Sequence, residues 1–208
     1  MGIFHGLTDG TGAYEVIRTF LYYYCFDRYW VKLNDEGIRL VGDDITMEEW
    51  QDPTTDGRQF PLPKSVEMSD ALNLIKEGKL ENDTVPTVYS IAVSESEFMK
   101  FNIDHDGSPG TMVSLFLSRA VPKIYPDSDK AIRITLCVNQ RNSLHAPKAH
   151  QSLVGGVMLE YKETMRTWPL DRQATAYRGM VFAQTQEETV LAGIASPLQI
   201  FLLHNNLW

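Results

Sequence analysis

Only two of the 208 residues are cysteine, Cys25 and Cys137, and they lie far apart inside apolar periodic segments. That excludes a disulfide framework and predicts two buried free thiols in a reducing compartment, with the cytoplasm as the expected location. Basic charge is in deficit, 19 Lys and Arg standing against 27 Asp and Glu for a formal net charge of -8. No basic field exists to concentrate nucleic acid or anionic lipid, so neither is an expected partner. Nor does the sequence contain a run of about 18 uncharged apolar residues. A basic start followed by an apolar core and a small-residue cleavage site is also missing, which argues against secretion as well as membrane spanning. Gly10 and Gly12 stand without the rest of a dinucleotide fingerprint, and no P-loop is present. His145 and His150 flank Lys148 with no further Cys, His or carboxylate beside them, so no metal site is expected. Internal repeats and low-complexity tracts are absent too.

What remains is a globular chain, 43% hydrophobic and 22% charged, long enough to bury a core without staples. Apolar residues at 13, 16, 17, 20, 21, 24 and 25 predict an amphipathic helix from Ala13 to Trp30. Its end carries Tyr22, Tyr23, Tyr24, Phe26, Tyr29 and Trp30, a cluster that suits core or interface. Prolines, glycines and acidic pairs interrupt any period from Val31 to Pro86, so that stretch is expected to be a long connection with one short helix around Ser69 to Lys76. Thr87 to Val93 alternates as a strand, and Ser94 with Glu97 three residues on is a capping-box signature for a helix. A further helix is predicted from Thr111 to Val121, stopped near Pro122. Strands are expected at Ala131 to Val138 and Leu153 to Tyr161, around a polar loop from Asn139 to Gln151. The composition then favours one helix from Pro169 or Asp171 to about Ala195, with Pro197 breaking it before an apolar tail. Strands alternating with helices predict an α/β or α+β fold with a mixed sheet and helices against one face.

The sharpest local signal is His5-Gly6-Leu7-Thr8-Asp9-Gly10, a His-x-x-x-Asp-Gly string between a strand end and a helix start. Such a junction can hold an imidazole rigid and accessible. It can equally be a simple strand-to-helix turn in which Asp9 and Gly10 make the bend and His5 is half-buried. Companions follow in order: Ile91 to Lys100, Gly110 to Ala120, and a strand ending in Asn139-Gln140-Arg141. The series resembles the acyltransferase superfamily of chloramphenicol acetyltransferases, peptide-synthetase condensation domains and alcohol acetyltransferases, most closely over Gly2 to Trp30 and Thr87 to Tyr161. Phe4 stands where the family has a first histidine.

The resemblance implies a two-layer sandwich of the chloramphenicol-acetyltransferase type, present in part. Residues 1–86 would form the C-terminal part of a first subdomain, and 87–208 a second subdomain incomplete at its C-terminus. It implies transfer of an acyl group from a coenzyme A or carrier-protein thioester to an alcohol or amine, with no permanently bound cofactor. His5 would be the general base. Asp9 would pair with Arg141 as a structural brace, and Gly10 would permit close approach or an unusual backbone angle where the helix begins. Where the family has a polar acyl-site asparagine this chain has His150-Gln151-Ser152, so Gln151 and Ser152 are the substrate-binding candidates. Because the family motif normally follows several strands, a second expectation stands beside the enzyme: a non-catalytic truncated or split-gene chain that works only with a partner or by self-association.

Overall fold

The computed structural model of the chain describes residues 8–53, 68–74 and 90–193. Helix α1 (Gly10–Tyr29) begins three residues before the apolar period does, because Asp9 is its N-cap and accepts from the Thr11 and Gly12 amides. A carboxylate there satisfies two of the four free N–H groups of a first turn, which lets a helix start on a glycine. Trp30, in the left-handed region at φ 56°, closes it by donating to the carbonyls of Cys25 and Phe26. The connection that follows contains a one-turn helix, α2 (Met47–Trp50), set by a capping box between Thr46 and Glu49.

Two expectations in the next stretch change. The helix expected around 69–76 is not formed at 69–73, where Ala71 makes an isolated parallel bridge with Ala131; residues 75–80 lie outside the described ones. Of the strand expected at 87–93, residues 87–89 lie outside the described ones, and 90–93 pair with no strand among the described residues, with Ile91 89% and Val93 68% exposed. β-prone alternation makes a strand only where an edge is available to pair with. Helix α3 (Glu95–Asp104) does start where the sequence places it, with the Ser94 hydroxyl accepting from the Glu97 amide.

Helix α4 (Pro109–Ile124) has Pro109 in its first turn and runs through Pro122 rather than stopping there. Pro122 forfeits its own bond to the preceding turn, yet the helix continues past it and the Tyr125 amide reaches the Val121 carbonyl. Strands β1 (Ile132–Asn139) and β2 (Val154–Tyr161) form a two-stranded antiparallel sheet. The expected mixed sheet is thus, among the described residues, this antiparallel pair plus the one parallel bridge. A 3-10 turn (Glu163–Thr167) leads to α5 (Leu170–Gln184). The long helix expected to reach Ala195 breaks at 185–186 and resumes at 187–193. At the break the Gln184 side-chain amide bonds both the amide and the carbonyl of Met158 on β2, ending α5 on the strand.

The chain is therefore mixed α/β, and by contacts it divides into two compact units, each made of separate stretches of sequence. One comprises 1–63, 137–155 and 185–208, the other 64–136 and 156–184. In the first unit Leu144, Ala146, Ala149, Leu153, Val190 and Leu191 form a buried cluster. The loop expected to be polar supplies half of it, because its turns fold three apolar side chains inward. In the second unit Met112, Leu115, Leu159 and Tyr177 are fully buried, and the Tyr177 hydroxyl bonds Ser118 at 2.7 Å. Neither cysteine is buried as expected: Cys25 is half-buried and Cys137 exposed, because β1 turns that side chain outward. Among the described residues no helix is long and apolar enough to cross a membrane.

Candidate functional site

Among the described residues the first unit contains one buried ion pair, and it joins residues 132 positions apart. Asp9 and Arg141 are each 2% exposed. Arg141 grips the carboxylate through both Nη atoms, Nη1 to Oδ2 at 2.7 Å and Nη2 to Oδ1 at 2.9 Å. Its remaining donors are also used: Nε to the Ala149 carbonyl at 2.8 Å, Nη2 to the Gln151 carbonyl at 2.7 Å, and Nη1 to Asn139 Oδ1 at 3.2 Å. All five N–H groups of the guanidinium fork are satisfied. Asp9 is equally saturated, accepting from the amides of Thr11, Gly12 and Leu153 at 3.0, 3.1 and 2.9 Å.

One carboxylate therefore caps α1, anchors the residue before β2 and holds the loop after β1. Burial by itself raises the Asp9 pKa, but the bonds from Arg141, Leu153 and Gly12 outweigh it and bring the value down to about 2. A folded value below the unfolded one of 3.8 means that the ionised pair stabilises the fold above about pH 4 and loses that contribution as pH falls towards 2. The difference amounts to about 2 kcal/mol. Urea midpoints measured from pH 5 to 2 should fall less steeply in Asp9→Asn than in the wild type; parallel slopes would assign the acid sensitivity elsewhere.

Asn139, which sequence reasoning passed over as a side chain, turns out to orient the pair. Its Oδ1 accepts from the Arg141 amide at 3.0 Å as well as from Nη1, and its Nδ2 donates to Thr11 Oγ1 in the first turn of α1 at 3.3 Å. The signal was present, since Asn139 opens the Asn-x-Arg element.

The glycine requirement falls on a different residue from the one expected. A Cβ on Gly10 would meet nothing within 4 Å, whereas one on Gly12 would overlap the Thr8 hydroxyl and the His150 carbonyl. Thr8 Oγ1 itself donates to that carbonyl at 2.6 Å. The second glycine is thus the point where α1 touches the 149–151 segment. Gly12→Ala should cost about 1–3 kcal/mol by overpacking and lower the melting temperature, while Gly10→Ala should leave it near the wild-type value. Equal melting of the two variants would remove this contact from the argument.

The remaining candidates are placed as follows. His5 lies outside the described residues. Gln151 is half-buried and its side-chain Nε2 donates to the Gln51 carbonyl at 3.1 Å, so that amide is engaged with backbone; Ser152 is exposed. His145 Nε2 faces Glu187 at 3.3 Å and His150 Nε2 faces Glu49 at 3.6 Å, each histidine with its own carboxylate. Among the described residues no group of three or more His, Cys, Asp or Glu could hold a metal ion. Beside the brace lies a cleft of about 800 Å³, lined by Thr11 and Gly12 of α1, by Arg39 and Glu49, and by Ala149 and His150. Arg39 and Glu49 form an ion pair on its wall. No family model, no curated protein and no solved structure matches the chain.

Proposed function

We propose that the chain is an acyltransferase of the His-x-x-x-Asp-Gly type, moving an acyl group from a coenzyme A or carrier-protein thioester to an alcohol or amine. The observation that carries this reading is the buried, bidentate Asp9–Arg141 pair at the start of α1, four residues after His5. A carboxylate turned wholly into structure is unavailable for proton transfer. What it does is fix the start of α1 to the segments around Arg141 and Leu153, as a structural aspartate of this type would, and the adjoining cleft offers room for an acceptor. The two-layer sandwich of the chloramphenicol-acetyltransferase type belongs to the same proposal.

In this reading neutral His5 takes the proton of the acceptor O–H or N–H as that atom attacks the thioester carbonyl. The tetrahedral oxyanion then collapses, the C–S bond breaks, and the departing thiolate receives the proton from the imidazolium. Coenzyme A or a carrier thiol is product, and the thioester is a substrate rather than a resident cofactor. A second reading, a non-catalytic chain that acts with a partner, is favoured by the exposed segment at 90–93, which pairs with no strand among the described residues.

The test is acceptor-dependent release of free thiol from short-chain acyl-coenzyme A, run against a panel of alcohols and amines with the purified chain. Release that requires both the acceptor and His5 supports the enzyme. Thiol release no faster than without protein, across donors and acceptors, would overturn it in favour of the second reading.

A further inference from the structure

We propose that the outer face of α1 is a self-association surface, on which a second copy of the chain packs its own α1 in antiparallel orientation. The helix turns Gly12 and Tyr22 inward and leaves Tyr14, Ile17, Leu21 and Tyr24 on the other side, 61%, 38%, 47% and 45% exposed. Their spacing of three, four and three residues is that of the a and d positions of a heptad, and Arg28 occupies the next a position. The apolar stripe that marks α1 in the sequence is thus largely left in water, with Val16, Ile17, Phe20, Leu21 and Tyr24 exposed and only Gly12 and Tyr22 buried.

The stripe is already organised: the Phe20 and Tyr24 rings stack at 6.0 Å, and Tyr24 meets Tyr29 edge-on at 6.0 Å. With Val16 and Phe20 beside it, the face leaves on the order of 600 Å² of side-chain surface in water. That lies at the top of the range for an ordinary monomer patch and near the roughly 800 Å² per partner of a standard interface.

Area and spacing point to a second copy. The charged residues of α1 are Glu15, Arg18, Asp27 and Arg28, which cancel, so the overall charge of -8 is not focused on this face and repulsion between two copies is not concentrated where they would meet. Orientation follows from Arg28. Parallel helices would set it against the partner's Arg28 in the apolar seam. An antiparallel pair centred between Tyr22 and Tyr23 sets Leu21 opposite the partner's Tyr24 and Ile17 opposite the partner's Arg28, separating the two guanidinium groups by roughly 16 Å along the axis.

Light scattering coupled to size exclusion reads the result. The 23.6 kDa chain is expected to elute with twice its mass. Leu21→Lys and Tyr24→Glu should each raise the dimer dissociation constant about tenfold or more, with circular dichroism unchanged because both positions face solvent. Mixing the two variants should restore the dimer, since the introduced lysine then faces the introduced glutamate while the other crossing keeps its native pair. In a parallel pair those positions do not meet, and mixing restores nothing. A wild-type monomer at all concentrations, a dimer that survives both substitutions, or a mixture that stays monomeric would each overturn the proposal. Loss of helical signal in either variant would do so too, because it would place these side chains in the core.

Discussion

Arg141→Ala should melt roughly 6–20 °C below the wild type, the shift that a loss of about 3–5 kcal/mol produces in a chain of this length. The size of the effect comes from what is left behind rather than from the net value of the ion pair. Without the guanidinium, the Asp9 carboxylate, whose side chain is 0% exposed, keeps its charge with no countercharge. The carbonyls of Ala149 and Gln151 lose donors at the same moment. Each of these groups was removed from water on folding, so each exacts a desolvation cost once its partner is gone. Arg141→Lys is expected to recover less than half of the loss. An ammonium offers three donors from one point and cannot span both carboxylate oxygens, two carbonyls and Asn139 as the planar fork does. His5→Ala is the control, since it leaves every bond of the brace in place. Differential scanning calorimetry on the three variants decides the matter, and an Arg141→Ala protein that melts with the wild type would mean that the pair is not the structural brace.

The pairing of Asp9 with Arg141 was within reach of the sequence only through resemblance. Nothing in the periodicity of α1 or of β1 points to a partner 132 residues away. Local chemistry was legible where the signal is itself local: Ser94 and Glu97 mark the start of α3, and alternation marks β1 and β2 almost to the residue. It failed where a tertiary partner decides. Ser90 to Val93 has the alternation of a strand but no edge to pair with among the described residues, so its apolar side chains stay wet. Loop 139–151 looks polar because its polar residues outnumber the rest, yet Leu144, Ala146 and Ala149 are the side chains that fold inward. Gly10 and Gly12 are indistinguishable as letters. The His150 carbonyl, arriving from more than a hundred residues downstream, is what makes one of them necessary. Pro122 misleads in the other direction, because a proline removes only its own donor and the helix carries on past it to Ile124.

His5→Ala and Asp9→Asn should separate chemistry from scaffolding if the acyl-transfer reading holds. Removing a positioned general base costs about 10²–10⁴-fold in rate, so His5→Ala should lose that much acceptor-dependent thiol release while melting with the wild type. Because the base must be unprotonated to act, wild-type turnover should rise with pH along a limb that vanishes in the variant. Added imidazole should restore part of the rate by supplying the missing base. Asp9→Asn alters a residue that touches no reacting atom. It replaces an acceptor oxygen with an NH₂ group that faces the donors of Arg141 and the amides of α1, so it should lower the melting temperature and the rate together. Imidazole should not rescue it, because what is lost is the aim of the histidine rather than the proton acceptor. A His5→Ala protein that retains full turnover would remove the base from the mechanism. An Asp9→Asn protein rescued by imidazole would instead place Asp9 in the proton path and overturn its role as a brace.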